Sequence, residues 1–434
     1  MKTANPSALA APESVSRRSF LKAAAAAVAA PYVIPASAMG ADGNVSPSER
    51  IVMAGIGIGG RGPSDLGNLI HFNDCQFVAV CDVRKDNREK TKNMIDGHYK
   101  NKDAKAYIDF REVLARPDID AVLIATSDRW HTPLSVFSMR AGKDVYCEKP
   151  CSFSVAEGRV LADTMRQYGR VYQAGTQRRS EEPFAFIKQL ARNGYLGKIH
   201  TMYADIWGGI VNPGWLTPPQ PEPPREVLDW DMYLGPAPWR PYHPGYMHHG
   251  GKEDFHTGCI GEWGSHTIDL CHWAMGLEET GPVEFQFPNN NHGGDMVLTY
   301  ANGIKLILVQ GGFPNSCGFK LVGTEGWGFS ADSCGASCQP KSLMSERKRL
   351  VQQYVAETQR ALHHWRDFLD SCKSRRLAVA PAEHAHRSVS ACHIGNICLK
   401  LKRNLKWDPV KEEFPGDEEA NRLRRRPSRP QYSV

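Results

Sequence analysis

Three glycines and one aspartate carry the clearest chemistry in this chain. Gly55, Gly57 and Gly60 form a G-x-G-x-x-G turn directly after the apolar run Ile51-Val52-Met53-Ala54. In such a turn the first glycine permits a tight bend, the second lets a pyrophosphate approach the backbone, and the third lets the next helix pack close to its strand. The N-terminus of that helix is thereby aimed at phosphate. A second apolar strand, Gln76 to Asp82, ends on a carboxylate 22 residues past Gly60, where an acidic side chain reaches an adenosine ribose. Strand, turn, helix and carboxylate in this order predict a dinucleotide site. Asp82 favours NAD, because it accepts from a ribose 2′-hydroxyl and repels a 2′-phosphate. Arg84, Lys85 and Arg88 follow it closely and leave NADP open.

The elements that must position this turn are legible from periodicity. Strand and helix patterns alternate to about residue 175. Ala121 to Thr126 and Asp144 to Cys147 read as buried parallel strands, and Arg170 to Gly175 as a short sixth. Amphipathic stretches at Asp109–Arg116, Thr132–Ala141 and Val155–Tyr168 lie between and after them. This is the pattern of a doubly wound α/β Rossmann domain, here placed at residues 50–175, with its site at the carboxyl ends of the strands.

Two loops at those ends hold further suggestive residues, Thr126-Ser127-Asp128-Arg129-Trp130-His131 and Cys147-Glu148-Lys149-Pro150. They resemble the A-T-P-D-x-W-H and E-K-P motifs of the Gfo/Idh/MocA family, the glucose-fructose oxidoreductase and inositol dehydrogenase relatives, with Ser127 in place of a proline. Gly258 to Asp269 resembles the family's D-x-G-x-H-x-x-D signature, with Glu262 where most members carry aspartate. Leu405 to Pro409 and Asp417 to Leu423 look like the C-terminal arm of its exported bacterial members.

The resemblance implies a nicotinamide-dependent oxidoreductase acting on a sugar, glycoside or cyclic polyol. It implies a second α+β domain with a largely antiparallel open sheet, placed at 176–403, and an arm at 404–434. Lys149 and His266 become the catalytic pair, Lys149 projecting from the fifth strand's end and His266 facing it. Oxidising a carbinol needs a base for the hydroxyl proton and a positive group for the developing alkoxide. Glu262 joins them as orienter or hydroxyl binder, its extra methylene moving the carboxylate outward. Arg61, Thr126, His131 and Glu148 join Gly55, Gly57, Gly60 and Asp82 at the cofactor. The other readings are a glycosidase that works by transient oxidation with bound NAD, and a non-catalytic nucleotide-binding scaffold.

Within the second domain, Ser265 followed by Thr267 to Met275 reads as a capped helix, with Gly261 and Gly264 placing Glu262 in the turn before it. One helix is expected near Leu350 to Arg375 and another near His384 to Arg403. The stretch from Gly208 to Gly258 holds ten prolines, which exclude helix and inner strand and predict an ordered loop excursion. Trp207, Trp215, Trp230 and Trp239 sit in or beside it, as loop packing or as faces for sugar C–H groups. The basic tail Arg422 to Arg429 reads as an arm gripping a neighbour or the domain surface, or as a solvated end.

The first 38 residues read as an address. Ser16-Arg17-Arg18-Ser19-Phe20-Leu21-Lys22 precedes a weakly apolar stretch, and Ala36-Ser37-Ala38 supplies a cleavage site. This is the pattern of a twin-arginine signal and a periplasmic destination. There a tightly bound cofactor, recycled in place, is expected, since no free nicotinamide pool is at hand. The net charge of +6 falls to about +3 without that segment, too mild for nucleic acid. The twelve cysteines show no zinc-type spacing, so no metal site is expected. Cys334 and Cys338 are the one pair considered for oxidation after export. The expected partners are a small carbohydrate or polyol and further copies of the chain as a homo-oligomer.

Overall fold

The computed structural model describes residues 45–206, 216–247, 254–290 and 293–434. The export segment, Trp207 and Trp215 lie outside the described residues. The chain divides into two compact units, Met1–Arg50 and Ile51–Val434. In the first, the described stretch holds one 3-10 turn, Pro47–Glu49.

The second unit begins with six strands and their crossovers: β1 (Ile51–Ile56), α1 (Gly62–Ile70), β2 (Cys75–Cys81), α2 (Lys85–Tyr99), β3 (Lys105–Tyr107), α3 (Phe110–Leu114), β4 (Ala121–Ile124), α4 (His131–Arg140), β5 (Asp144–Cys147), α5 (Val155–Tyr168) and β6 (Tyr172–Ala174). Every pairing is parallel, in the order β3-β2-β1-β4-β5-β6. Period-2 alternation divides the apolar side chains between two faces. Val122, Ile124, Val145 and Cys147 enter one core, and Ala121, Leu123 and Tyr146 the other. Coverage on both faces is why these strands read as unbroken apolar runs.

The chain continues through α6 (Glu182–Arg192), β7 (Ile199–Asp205), α7 (Trp230–Leu234), α8 (Gly258–Met275), β8 (Glu284–Gln286), β9 (Val297–Thr299), β10 (Lys305–Val309), β11 (Phe319–Gly323), β12 (Gly326–Ala331), β13 (Gly335–Gln339), α9 (Arg347–Thr358), α10 (His364–Ser374), α11 (Ala382–Leu401), β14 (Leu405–Lys406) and α12 (Glu418–Arg422). Its eight-stranded sheet runs β13-β12-β11-β7-β10-β9-β8-β14, with β7 and β10 parallel and the other pairs antiparallel. The second domain is therefore the expected open, largely antiparallel sheet.

Three sequence expectations change. The helix near the signature begins at Gly258, and Ser265 lies inside it, its Oγ donating to Glu262 O at 3.0 Å. Gly261 and Gly264 serve close packing instead of a turn. A Cβ at Gly261 would lie 2.3 Å from Thr257 Oγ1, and one at Gly264 2.9 Å from Cys392 Sγ on α11. The single helix expected over 350–375 is two, because Gln359 adopts φ +52° after Thr358 and ends the first. Cys338 is buried on β13 while Cys334 is exposed and accepts from Asn315; both are free thiols.

The excursion packs against the nucleotide domain. Lys85 N donates to Val227 O at 2.9 Å, and Trp130 Nε1 to Met232 O at 3.0 Å. Trp230, Tyr246 and Phe255 give it a small core of its own, whereas Trp239 is exposed. The basic tail grips its own chain. Arg426 donates to Glu157 at 2.6 Å, Arg429 pairs with Asp231, and Tyr432 is buried edge-on against Trp130.

A buried ion pair ties α8 to the segment before α6. Arg179 donates to both oxygens of Asp269, at 2.6 and 2.8 Å, and to Glu278 at 2.6 Å. Both Arg179 and Asp269 are fully enclosed. Arg179→Met strands Asp269 as an uncompensated buried charge, at a cost of about 3–5 kcal/mol. Urea unfolding at neutral pH should show the midpoint falling with the slope retained; an unchanged midpoint would mean the pair contributes nothing.

Candidate functional site

At the end of β1 the glycine turn is shaped by close approach. Gly57 adopts φ +68°, and a Cβ there would stand 2.1 Å from Thr126 Cγ2 at the end of β4. Gly60 is also left-handed, at φ +46°. The helix-to-strand contact assigned to the third glycine belongs to Gly62 instead. Its Cβ would lie 3.1 Å from that of Ala125. Helix α1 starts at this point, with its free N–H groups over the turn.

Asp82 stands at the tip of β2, nearly enclosed, accepting from Arg84 N at 2.8 Å and Asn87 Nδ2 at 3.3 Å. Burial outweighs those two donors and raises its carboxyl to about 6. The neighbouring cations are already engaged. Arg84 pairs with Asp86, Lys85 lies 3.7 Å from Glu89, and Arg88 donates to the carbonyls of Asp82 and Glu226 at 2.7 and 3.0 Å.

Thr126, His131 and Glu148 are brought beside this turn. The His131 ring lies between Pro150 O, 2.7 Å away, and Thr126 O, 3.1 Å away, so it pins the loops after β4 and β5 together. Glu148 is buried, accepts from Gln177 at 2.6 Å, and faces Asp65 of α1. Arg61 reaches Asp65 at 3.2 Å. Burial first, and then the Glu148 charge, push the Asp65 carboxyl upward, to about 8.

The same cleft runs from Gly57 and Asp82 to Lys149, Glu262 and His256. Lys149, two residues past β5, pairs with Glu262 Oε1 on α8 and lies 3.3 Å from Glu262 O. The extra methylene of glutamate therefore brings the carboxylate onto the lysine. His256 Nε2 stands 3.4 Å from the other oxygen, Oε2. Burial would raise the Glu262 carboxyl, but the His256 and Lys149 contacts outweigh it and hold it low. Burial likewise works against protonation of His256, yet Glu262 and then Asp128 push it above its ordinary value. Asp128, His256 and Glu262 place one donor atom each within 4.8 Å of one another.

His266 lies one turn beyond Glu262 on α8. It is enclosed and does not line the cleft, and its Nδ1 is without a hydrogen-bond partner. Burial, followed by the charges of Arg178 and Lys149, keeps this imidazole neutral far below its ordinary range. His256 is the residue that sequence reading missed. It lies at the end of the proline-rich excursion, and the helix start at Gly258 is the signal that would have placed it beside Glu262.

Residues 50–176 match the family described as "Oxidoreductase family, NAD-binding Rossmann fold", and residues 207–434 match "Oxidoreductase family, C-terminal alpha/beta domain", both of the Gfo/Idh/MocA group. A myo-inositol 2-dehydrogenase from Thermotoga maritima is 31% identical over 147 residues, 34% of this chain and 42% of that protein. A glycosyl hydrolase family 109 protein from Shewanella baltica is 31% identical over 169 residues, 35% of this chain and 37% of that one. The chain thus matches less than half the length of these curated relatives. Among solved structures, a scyllo-inositol dehydrogenase from Lactobacillus casei with bound NAD(H) and scyllo-inositol shares the fold at TM-score 0.56 and 15% identity, covering 82% of this chain and 99% of that one. An aldose-aldose oxidoreductase from Caulobacter crescentus gives TM-score 0.56 at 14% identity, with the same coverage.

Two outcomes test this geometry. Gly57→Ala places a methyl group inside Thr126 at a left-handed position, so NAD affinity measured calorimetrically should fall by at least about tenfold while the fold persists. Asp65 has a folded value above its unfolded one, so its stabilisation is full below about pH 4 and is lost as pH rises toward 8. The thermal midpoint should show that decline in the parent protein, and Asp65→Asn should flatten it.

Proposed function

The chain belongs to the Gfo/Idh/MocA oxidoreductase family, and we propose that it transfers hydride between a held NAD and a carbinol of a sugar, glycoside or cyclic polyol. One observation carries this reading. A single cleft joins the glycine turn and the Asp82 carboxylate at one end to a carboxylate-gripped ammonium at the other. Asp82 at the tip of β2 supports NAD over NADP, as does the engagement of Arg84 by Asp86 and of Arg88 by two carbonyls.

Gly55, Gly57, Gly60 and Arg61 would hold the pyrophosphate side of the coenzyme, and Thr126, His131 and Glu148 the nicotinamide side. The coenzyme supplies the hydride acceptor. Lys149 orients the carbinol oxygen and stabilises the negative charge that develops on it, with Glu262 fixing the ammonium. His266 carries the base role only as the family resemblance implies it: the ring is neutral, enclosed behind the cleft lining and lowered in proton affinity, so a substrate oxygen would have to reach its unpartnered Nδ1. The inositol dehydrogenases among the relatives support a polyhydroxylated ring as substrate. The twin-arginine pattern supports export, and with it a dinucleotide loaded before export and recycled in place.

Mass spectrometry of nucleotide released from purified protein should identify NAD, retained through dialysis. Addition of myo-inositol, glucose and methyl glucosides in turn should raise absorbance at the reduced-nicotinamide band with at least one of them. Free monosaccharide from the glycosides without that absorbance would instead indicate a glycosidase. Lys149→Ala should lower the rate of cofactor reduction by about a hundredfold or more, with NAD binding retained. A rate equal to that of the parent would remove Lys149 from the chemistry.

A further inference from the structure

We propose that His256 is a positioning residue which, by holding the second oxygen of Glu262, lets a glutamate serve at this place in the cleft. The inference rests on the reading of Lys149 and Glu262 given above. Glutamate has one more rotatable bond than aspartate, so a carboxylate on the longer arm reaches Lys149 but is less confined. A contact on each oxygen removes that freedom. Lys149 takes Oε1, and His256 Nε2 stands 3.4 Å from Oε2.

The imidazole is itself fixed. Gly258 N donates to His256 Nδ1 at 3.0 Å, so the neutral ring carries its proton on Nε2, the nitrogen facing Glu262. The adjacent Thr257 is locked to the nucleotide domain. Its N–H and its hydroxyl both donate to Asp128 Oδ2 at 2.9 Å, and its carbonyl accepts from Asn396 at 2.7 Å. Among the described residues, the charged groups facing His256 are Glu262 on α8, Asp128 after β4 and Lys149 after β5. A divalent cation among Asp128, His256 and Glu262 would need Nε2 stripped of that proton, against the Gly258 N–H at Nδ1. It would also have to share Glu262 with an ammonium.

The chain of contacts therefore runs from Asp128 through Thr257 and His256 to Glu262 and Lys149. It crosses from the nucleotide domain to α8 and back. Its consequence is geometric: His256 acts on the reacting centre only through the carboxylate it orients.

The test has one arm that needs no substrate. In protein carrying ¹⁵N-labelled histidine, the His256 signals are assigned by their loss in His256→Gln. They should report the Nε2–H tautomer in the parent, and a lower titration midpoint in Glu262→Gln, where the accepting charge is gone. Identical His256 shifts and midpoint in Glu262→Gln would overturn the proposal. The kinetic arm uses NAD and myo-inositol. His256→Ala should lower kcat by about tenfold or more with KM within about twofold, and His256→Gln, which keeps an N–H donor, should recover most of that loss. Glu262→Asp should hurt the parent more than it hurts the His256→Ala protein. Additive losses in that double variant, or activity in the parent that is abolished by EDTA and restored by Mn²⁺, would each count against the positioning role. An absence of nicotinamide reduction by the parent with every sugar and polyol would sink the oxidoreductase reading instead. The tautomer and midpoint would then still decide the His256 contact on its own.

Discussion

An ammonium and a carboxylate from opposite domains meet in this cleft, and the arrangement of both domains converges on holding them there. Lys149 comes from the loop after β5 and Glu262 from the second turn of α8. Both are largely withdrawn from water, which strengthens their attraction and raises the cost of leaving either unpaired. The cross-domain bonds of Asp128 to Thr257 keep the start of α8 against the strand ends. Close packing of α8 on α11 at Gly264 and the Arg179–Asp269 pair farther along keep the helix from rotating. A charge placed by so many independent contacts is preorganised: little has to move when negative charge develops beside it.

The coenzyme end obeys a different constraint, one of space. A left-handed Gly57 against Thr126 brings the turn after β1 and the tip of β4 together with no room for a side chain. Above it, the excursion and the C-terminal tail converge on the loop after β4. Arg129 donates to Leu234 O at 3.0 Å, Arg426 donates to Arg129 O at 2.9 Å, and Trp130 is enclosed between Met232 and Tyr432. Arg129 is a fully buried cation that donates to the carbonyls of Leu234 and Tyr233 and to the Ser127 hydroxyl, and desolvation lowers its proton affinity. Segments far apart in sequence thus brace one edge of the nucleotide cleft.

Much of this arrangement is legible in the sequence. The parallel sheet followed from unbroken apolar runs, and the glycine turn and Asp82 from spacing, because both signals are local. The excursion was legible from its prolines, but their exclusion of helix does not hold throughout: the proline-free stretch between Pro224 and Pro236 carries the short helix α7, capped by Asp229. What escaped the sequence was set by tertiary contact. Gly261 and Gly264 suggested a turn, since a glycine wanted for close packing looks like one wanted for backbone freedom until the neighbours Thr257 and Cys392 are in place. His256 carries no local signal of its own: it follows no helical period and reaches Glu262 through the tie of Thr257 to Asp128.

The start of α8 at Gly258 also bears on His266. Seen as a residue at a helix entrance, it would be partly solvated and would titrate near neutrality. In the middle of α8 it is enclosed and surrounded by Arg178, Lys149 and Arg61, all of which oppose its cation. A neutral imidazole with an unpartnered buried nitrogen carries a cost of about 1–3 kcal/mol. Proteins retain such orphans where a partner arrives with the substrate, and a carbinol hydroxyl is a partner of the right kind. Burial holds His266 in its neutral form and at the same time weakens it as a base, so a proton taken from a hydroxyl would stay there only with a negative charge beside it.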